Sequence, residues 1–266
     1  MTPPINIDGD TVDAITIDGT SVTEVTVDGT QVFGIPDSVL TQDLLAWYRF
    51  EDGDARDYAS NAEFPNITWG DSTAYDGTVS GATFLSSDGV TDFDTGPNSG
   101  AFDFDGAGDH IDIGNPSIDK TNKIFAIAAW FETSGTGFRR LISNFNSVDA
   151  YYALEWDVDG AGKLSFSLRD SGRNLNRVTS SSTLNDGNLH HVVGATDGGT
   201  AELFIDGSSE DTTSVTVGSV DSGAESYIGA SPSLTFTFDG LIDDVRYYDR
   251  AITASEAADI FNSTKP

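Results

Sequence analysis

Short runs of β-branched and aromatic residues, each bounded by Gly, Asp, Asn or Ser, recur along the chain from residue 44 onward. Runs of this kind with turn residues between them are typical of strands. Many short strands at a spacing of roughly 10 residues, followed by one helical segment, favour a sandwich or a barrel. The sequence therefore predicts an all-β fold, and we expect a two-sheet antiparallel jelly-roll sandwich. The predicted strands cover residues 44–50, 101–105, 110–114, 125–133, 140–145, 151–158, 163–170, 189–196, 201–207, 226–230 and 238–248.

The last of these strands carries two adjacent carboxylates within an apolar run. Alternation along a strand would place Asp243 with Val245 and Tyr247 on one face, and Asp244 with Arg246 on the other. Two carboxylates in a half-buried strand need a cation, a hydrogen-bond donor or water, because an unpaired buried charge is costly. This strand should therefore hold a polar cluster.

A short C-terminal helix is predicted directly after that strand. Thr253 and Glu256 form the T-x-x-E pattern of a capping box, in which each side chain accepts a backbone N–H of the other residue. We therefore expect the strand and the helix to close the domain together.

A ten-residue repeat occupies the amino-terminal region. Its units begin at Ile5, Ile15 and Val25, and each contains Asp-Gly between alternating apolar residues. This pattern predicts hairpins. Because so few residues cannot bury a useful core alone, we interpret 1–36 as a small β-meander module for anchoring or oligomerisation, with a flexible tail as the alternative. Residues 37–43 are the predicted linker, and 44–266 the jelly roll.

The chain is strongly acidic, with 43 Asp and Glu against 13 Lys and Arg and a formal charge of −30. Phosphate binding needs clustered Lys and Arg, so the composition argues against nucleic acid as a partner. A hydrated acidic surface suits a protein that works in high salt, where the self-repulsion is screened. A generic acidic calcium-binding or surface protein is the alternative.

The sequence also limits where the protein works. It contains no cysteine, which excludes disulfides and thiol chemistry. No apolar run approaches the roughly 20 residues of a membrane span, and the first residues lack the basic and apolar regions of a signal peptide. An extracellular or virion location would then require another export route or assembly into a larger particle.

Six segments, in order, resemble the laminin-G-like, concanavalin A-like jelly rolls, in particular the bacterial and archaeal form found in adhesins and sugar-binding modules. The resemblance covers about residues 44–262, and it implies that the first and last strands of the sandwich are neighbours. The segments are LLAWYRFEDG, YDGTVSGATF, GAFDFDGAGDHIDIG, FAIAAWFETS, NDGNLHHVVGATDGGTAELFIDG and FDGLIDDVRYYDRAITASEAADIF.

The resemblance also implies a structural calcium ion between the loop after the first strand and the last strand. Carboxylate and amide oxygens are the ligands that Ca²⁺ prefers. Two alternatives are that Asp243 and Asp244 are solvated, or that they pair with Arg49 and Arg246. Carried over by position, the nominated ligands are Asp57, Asn61, Asp105, Asp243 and Asp244.

A catalytic alternative rests on Glu155, Asp157 and Asp159, which form an E-x-D-x-D run. Paired carboxylates on one strand face could serve a retaining glycosidase. The run partly matches the motif of laminarinase-like glycosidases, but Gly160 stands where that motif has a final glutamate. The segment also fits a plain hairpin, and we expect no enzymatic activity.

The three histidines do not predict a catalytic site. His190 and His191 are adjacent on a predicted strand, so they point to opposite faces and cannot chelate one ion. With only His110 besides, nucleophilic catalysis is not predicted.

Aromatic residues are the remaining candidates for ligand contact, because exposed rings stack on sugars. Trp47, Trp130 and Trp156 lie in predicted strands and are expected in the core. Trp69 and Tyr75 lie in an inserted loop region and are the predicted sugar contacts.

We expect a noncatalytic module that binds a glycan or a surface glycoprotein. The repeat would attach it to other structural proteins or to copies of itself, as in a virion spike, turret or tail. A purely structural decoration protein and a glycoside hydrolase are the alternatives.

Overall fold

The computed structural model describes residues 16–17, 20–21, 24–27, 30–34, 43–50, 53, 55–57, 72–85, 100–145 and 150–265. Within the amino-terminal repeat it shows two antiparallel hairpins, although the Asp-Gly turns and the first unit lie outside the described residues. The anchoring role of residues 1–36 and the linker therefore stay predictions. The hairpin strands are β1 (Thr16–Ile17), β2 (Thr20–Ser21), β3 (Glu24–Val27) and β4 (Thr30–Gly34).

Two antiparallel sheets form the rest of the fold. Sheet I has the order β18-β17-β16-β11-β20-β9-β8, and β5 also pairs with β20. Its strands are β5 (Leu44–Tyr48), β8 (Thr83–Leu85), β9 (Ala101–Asp105), β11 (Ile124–Glu132), β16 (Leu189–Asp197), β17 (Thr200–Ile205), β18 (Ser208–Ser214) and β20 (Asp239–Tyr248).

Sheet II has the order β15-β14-β13-β12-β19-β10-β7-β6. Its strands are β6 (Ala55–Asp57), β7 (Ser72–Ser80), β10 (His110–Asp112), β12 (Arg139–Ser143), β13 (Tyr151–Trp156), β14 (Leu164–Arg169), β15 (Leu175–Thr179) and β19 (Tyr227–Ile228). The predicted all-β fold class, a two-sheet sandwich with one C-terminal helix, is confirmed.

The main core lies between the two sheets, where aromatic rings from both inner faces interlock. Phe125 of sheet I lies 5.3 Å from Tyr152 and 6.1 Å from Phe166 of sheet II, between ring centroids. Farther along, Phe131 meets Trp156 at 5.8 Å. All five rings are buried, and each contributes about 1.5–3 kcal/mol by leaving water. This packing fixes which face of each strand is left to point outward.

Helix α1 (Ala254–Thr264) packs on the outer face of sheet I. The predicted capping box is present, because Thr253 accepts from the Glu256 N–H and Glu256 accepts from the Thr253 N–H at 2.7 Å. At the other end, Trp130 donates its indole N–H to the Thr264 hydroxyl at 2.9 Å. The helix therefore forms a roof that buries this face.

The predicted pairing of the first and last strands is confirmed, since β5 pairs with the second half of β20. The first half of β20 pairs on the same edge with β9 instead. The change of partner falls at Asp243 and Asp244, where the register against β11 also shifts and Asp244 has φ +48°. Regular alternation is therefore wrong here, because this β-bulge changes the face that follows it.

The consequence is visible in the core. Ile242, Val245 and Tyr247 all belong to the inner core cluster, although a regular strand would put Ile242 on the opposite face. Asp243 lies opposite Trp130, whose side chain contacts the helix, so its carboxylate belongs to the outer face under the roof. The bulge thus turns both the aspartates and Arg246 out of the core.

Candidate binding site

The outer face of sheet II carries a buried arginine–glutamate cluster at its centre. Strand β13 points Tyr152, Leu154 and Trp156 into the core, so Tyr151 and Glu155 face outward. The Glu155 carboxylate lies 2.7 Å from Arg140 Nη1 and 2.8 Å from Arg177 Nη2, and it is completely buried. One carboxylate therefore serves two guanidinium groups.

Hydroxyl groups complete the polar contacts of this cluster. Ser167 donates to Glu155 Oε2 at 2.6 Å, and Arg177 Nε donates to the Ser167 oxygen at 2.9 Å. Arg177, Ser167 and Glu155 come from three adjacent strands, in which Ser167 pairs directly with Arg177 and Glu155 lies diagonally across from Ser167. The Arg177 side chain is held in this way and is still 29% exposed.

Aromatic rings enclose the Arg140 guanidinium. Its carbon lies 4.7 Å from the ring centre of Phe145, 4.9 Å from Tyr151 and 5.2 Å from Phe138. Cation–π contacts of this kind stabilise a desolvated arginine. Burial, reinforced by the nearby Glu155 charge, raises the pKa of Tyr151, so its hydroxyl stays protonated and can donate.

A strained loop, residues 231–237, borders the cluster. Leu234 (φ +52°) and Phe236 (φ +61°) both adopt the left-handed conformation, which is unfavourable for bulky residues. Both are exposed, at 46% and 44%. The Phe236 carbonyl accepts from the Arg140 N–H at 2.8 Å, and its ring lies 4.8 Å from Phe138. The backbone therefore adopts an unfavourable conformation at two positions of this loop, and the two apolar side chains there are exposed beside the arginine–glutamate cluster.

This surface was not predicted from the sequence, which nominated Trp69 and Tyr75 for sugar contact. Trp69 lies outside the described residues. Tyr75 is half-buried against the core, and its hydroxyl is hydrogen-bonded to the Ser117 hydroxyl at 2.6 Å. A sugar contact by either residue stays a prediction, whereas Trp47, Trp130 and Trp156 are buried as expected.

The E-x-D-x-D run has no catalytic geometry. Strand β13 ends at Trp156, and Asp157 (φ +52°) instead accepts the backbone N–H groups of Gly137 and Gly162, each at 2.6 Å. Asp159 caps its own turn by accepting from Ala161. Since Glu155 is bound to two arginines, the three carboxylates do not form the pair that flanks a scissile bond in a glycosidase.

The two aspartates of the bulge form a second buried cluster, on sheet I. Asp244 Oδ1 accepts from Trp47 Nε1 at 2.5 Å and from Arg246 Nε at 3.0 Å, while Asp243 Oδ1 accepts the Asp244 N–H at 2.7 Å. Arg246 is itself buried, which opposes its charge, but Asp244 outweighs this effect and raises the pKa of Arg246. The pairing with Arg246, named as an alternative to calcium, is thus present.

The other predicted calcium ligands are not brought to this cluster within the described residues. Asp105 pairs with Asp239, four positions before Asp243, or about 13 Å along the strand. The Asp57 side chain and Asn61 lie outside the described residues. No group of three His, Cys, Asp or Glu in the described ranges is arranged to hold a metal ion, so calcium stays a prediction.

His190 and His191 face opposite ways, as expected. His190 is hydrogen-bonded to Asp206 at 2.8 Å, which raises its pKa despite partial burial. His191 lies under the roof against Trp130, and burial lowers its pKa to about 3. Neither ring nitrogen of His191 has a hydrogen-bond partner among the described residues.

The two-sheet sandwich and its paired first and last strands define a jelly roll. The chain belongs to the concanavalin A-like lectin/glucanases superfamily, whose Laminin_G_3 family model matches residues 105–258. No curated protein matches the sequence closely enough to count as a relative. No helix in the described part of the chain is long and apolar enough to cross a membrane.

Several solved structures share this fold at low sequence identity. The binding domain of Paraclostridial Mosquitocidal Protein 1 matches with a TM-score of 0.63 and 15% identity, over 84% of this chain and 53% of that one. The receptor binding domain of botulinum neurotoxin C/D mosaic serotype gives 0.61 and 11%, over 84% and 51%. This chain therefore spans about half the length of the two toxin domains.

A third similar structure is of a more closely matched length. Domain 4 of AbnA, a GH43 extracellular arabinanase from Geobacillus stearothermophilus solved in complex with arabinotriose, gives a TM-score of 0.59 and 17% identity, over 82% of this chain and 98% of that one. At these identities the likeness of all three structures shows the fold alone.

Proposed function

We propose that this domain is a noncatalytic recognition module that binds a carbohydrate on the outer face of sheet II. The observation that carries the proposal is loop 231–237, which holds Leu234 and Phe236 exposed in strained conformations beside the arginine–glutamate cluster. Exposed aromatic rings stack on the apolar faces of sugars. Fixed arginine and hydroxyl donors nearby would select the orientation of the sugar.

The character of the similar structures supports this proposal. The arabinanase domain was solved with an oligosaccharide, and the toxin domains are binding domains. The engagement of Glu155 by two arginines favours binding over hydrolysis, because a glycosidase needs a carboxyl group free to protonate the leaving oxygen.

We further propose that the module works outside the cell or on a virion surface, in high salt, and recognises a glycan or surface glycoprotein. The formal charge of −30 supports the high-salt setting. The hairpins β1–β2 and β3–β4 support a separate attachment role for residues 1–36. Structural proteins or further copies of the chain are the partners expected for that segment.

A glycan array in 1 M NaCl tests the proposed function. We expect binding to a restricted set of glycans, and Phe236→Ala should weaken it about tenfold, the equivalent of losing roughly 1.4 kcal/mol of contact. Ile124→Ala is the matched control, because Ile124 is an exposed apolar residue of sheet I (37%). If no glycan is retained, the structural decoration alternative replaces the proposal.

A further inference from the structure

We infer that the sugar recognised by this surface is acidic, carrying a carboxylate or a sulfate, and that Arg177 is the residue that reads it. This inference rests on the proposed function and specifies its ligand class. Positive charge is unevenly distributed along the chain. Of the nine arginines in a chain with a charge of −30, five fall within one 39-residue stretch: Arg139, Arg140, Arg169, Arg173 and Arg177.

Three of these arginines lie on the same outer face. Arg140 and Arg177 share Glu155, and Arg169 lies over the outer side of Tyr151 at 5.8 Å. At the outward positions of β12 to β15, Glu155 is the carboxylate that Arg140 and Arg177 share. Two guanidinium groups therefore meet one carboxylate on this face, on a protein whose total charge is strongly negative.

The charge within the cluster is not balanced by the strands that build it. Arg140 is 4% exposed, and its Nε has no hydrogen-bond partner among the described residues. Its carboxylate partner is already shared with Arg177. Because a buried charge is costly unless it is paired, an anionic group bound at this face would supply the missing counter-charge.

Arg177 has the geometry needed to receive that group. Its Nε is bound to Ser167 and its Nη2 to Glu155, so the plane of the guanidinium is fixed. Its Nη1 has no partner in the described part of the chain, and the side chain is 29% exposed. A fixed guanidinium edge matches the two oxygens of a carboxylate or sulfate, and the fixing lowers the entropy lost on binding.

The surrounding charge limits the size of the ligand. At 0.1 M salt the negative field extends about 10 Å and would repel a long polyanion, whereas at 1 M it extends about 3 Å. Arg177 binds the same Glu155 carboxylate as Arg140 of β12, the Phe138 ring lies 5.2 Å from the Arg140 guanidinium carbon, and the Phe236 ring lies 4.8 Å from Phe138, so the distance from Arg177 to Phe236 is short. A short oligosaccharide with one acidic group at Arg177 and an apolar sugar face at Phe236 would fit this distance.

Calorimetric titration in 1 M NaCl with three galactose-based oligosaccharides of equal length, one neutral, one carboxylated and one sulfated, tests this inference. We expect an acidic form to bind at least tenfold more tightly than the neutral form. Comparison of the carboxylated and sulfated oligosaccharides shows which acidic group the site binds. Arg177→Gln should remove this preference, and Arg177→Lys should restore only part of it, because lysine lacks the planar fork.

Arg173→Gln is the matched control, since it removes the same charge from an exposed turn between β14 and β15. It should change affinity less than twofold. If the neutral form binds as well as the acidic forms and Phe236→Ala weakens it while Arg177→Gln does not, the acidic ligand is wrong and the proposed function stands. If none of the three oligosaccharides binds and the glycan array also shows no binding, the proposed function is wrong, and the inference that rests on it is wrong as well.

Discussion

Each sheet of the sandwich has a buried arginine on its outer face, and the two arginines lie in opposite settings. Arg246 on sheet I is paired with Asp244, packs over Trp47 at 4.5 Å, and is buried on the outer face on which helix α1 packs. Arg140 on sheet II is enclosed by aromatic rings at similar distances, but it shares its carboxylate with Arg177, and the bordering loop 231–237 is exposed.

The difference separates a structural cluster from the proposed binding surface. Under the roof, the aspartates of the bulge are positioned where β20 changes partner from β9 to β5, and they satisfy backbone and side-chain donors at that junction. On sheet II the register between β12 and β13 also shifts beside Arg140, but there two arginines share one carboxylate, and strained, exposed residues lie at the border of the cluster. We therefore propose that similar chemistry stabilises the fold on one face and binds a ligand on the other.

Removal of the roofed arginine should have the largest effect. Arg246→Leu leaves the Asp244 carboxylate buried without its ion-pair partner and should lower the free energy of unfolding by about 3–5 kcal/mol. Arg177→Leu, on the open face, should cost about 1 kcal/mol, because Arg177 is partly exposed. Urea denaturation of both variants measures the contrast, and equal losses would show that the two clusters play the same structural part.

Acid should destabilise the roofed face through His191. Its folded pKa of about 3 lies below its ordinary value of 6.5, so the unfolded chain binds a proton in this window that the folded chain does not. Stability is therefore present above about pH 6.5 and decreases as the pH falls toward 3, by about 1.4 kcal/mol per pH unit. Between pH 6 and pH 4, wild type should lose roughly 2–3 kcal/mol more than His191→Leu.

The neighbouring residue provides the control of opposite sign. Hydrogen bonding to Asp206 raises the pKa of His190, so its stabilising contribution is complete below about pH 6.5 and is lost as the pH rises through the folded value. His190→Asn should therefore leave the difference between pH 6 and pH 4 close to wild type. If the stability of His191→Leu decreases between pH 6 and pH 4 as much as that of wild type, His191 is not the residue responsible for the acid destabilisation.

The helix cap should contribute a smaller amount to the roof. Thr253→Ala removes the hydroxyl that accepts from the Glu256 N–H and should lower the free energy of unfolding by about 1 kcal/mol. Glycan binding should be unaffected, because the helix lies on the other sheet. Asp259→Asn, at an exposed position of the same helix, should change stability by less than about 0.5 kcal/mol.

Calcium removal should have the smallest effect of all. The ion stays a prediction from the family resemblance, and Arg246 already neutralises Asp244. We expect EDTA in ample NaCl to lower the Tm by no more than about 2–4 °C, equivalent to roughly 1 kcal/mol for a domain of this size. Excess CaCl2, but not MgCl2, should reverse the change. If EDTA does not change the Tm at all, the prediction of a structural calcium ion is wrong.

Local patterns in the sequence were enough for the elements and their chain order. Thr253 and Glu256 predicted the start of the helix, because a capping box involves residues three apart. The predicted strands 151–158 and 163–170, for example, correspond to β13 (Tyr151–Trp156) and β14 (Leu164–Arg169). The pairing of β5 with β20 came from the family resemblance, since it joins residues about 200 positions apart.

The two clusters show where prediction from the sequence ended. The alternation rule misplaced Ile242, because the bulge arises where two other strands compete for one edge, and no local pattern records that competition. Glu155 was considered as a catalytic acid because its arginine partners are 15 and 22 residues away in sequence and join it only through strand register. The concentration of arginines between 139 and 177 was a signal that could have located this face.

The sequence by itself determined that the chain is an acidic all-β sandwich with a capped terminal helix, because turn residues, strand periodicity and a capping box are encoded within a few positions of each other. Only the tertiary structure decided what the buried charges do. Asp243 and Asp244 became a bulge paired to Arg246, and Glu155 became the shared partner of Arg140 and Arg177. The role of a buried charge depends on the residues that sheet pairing brings beside it, and those residues are distant in the chain.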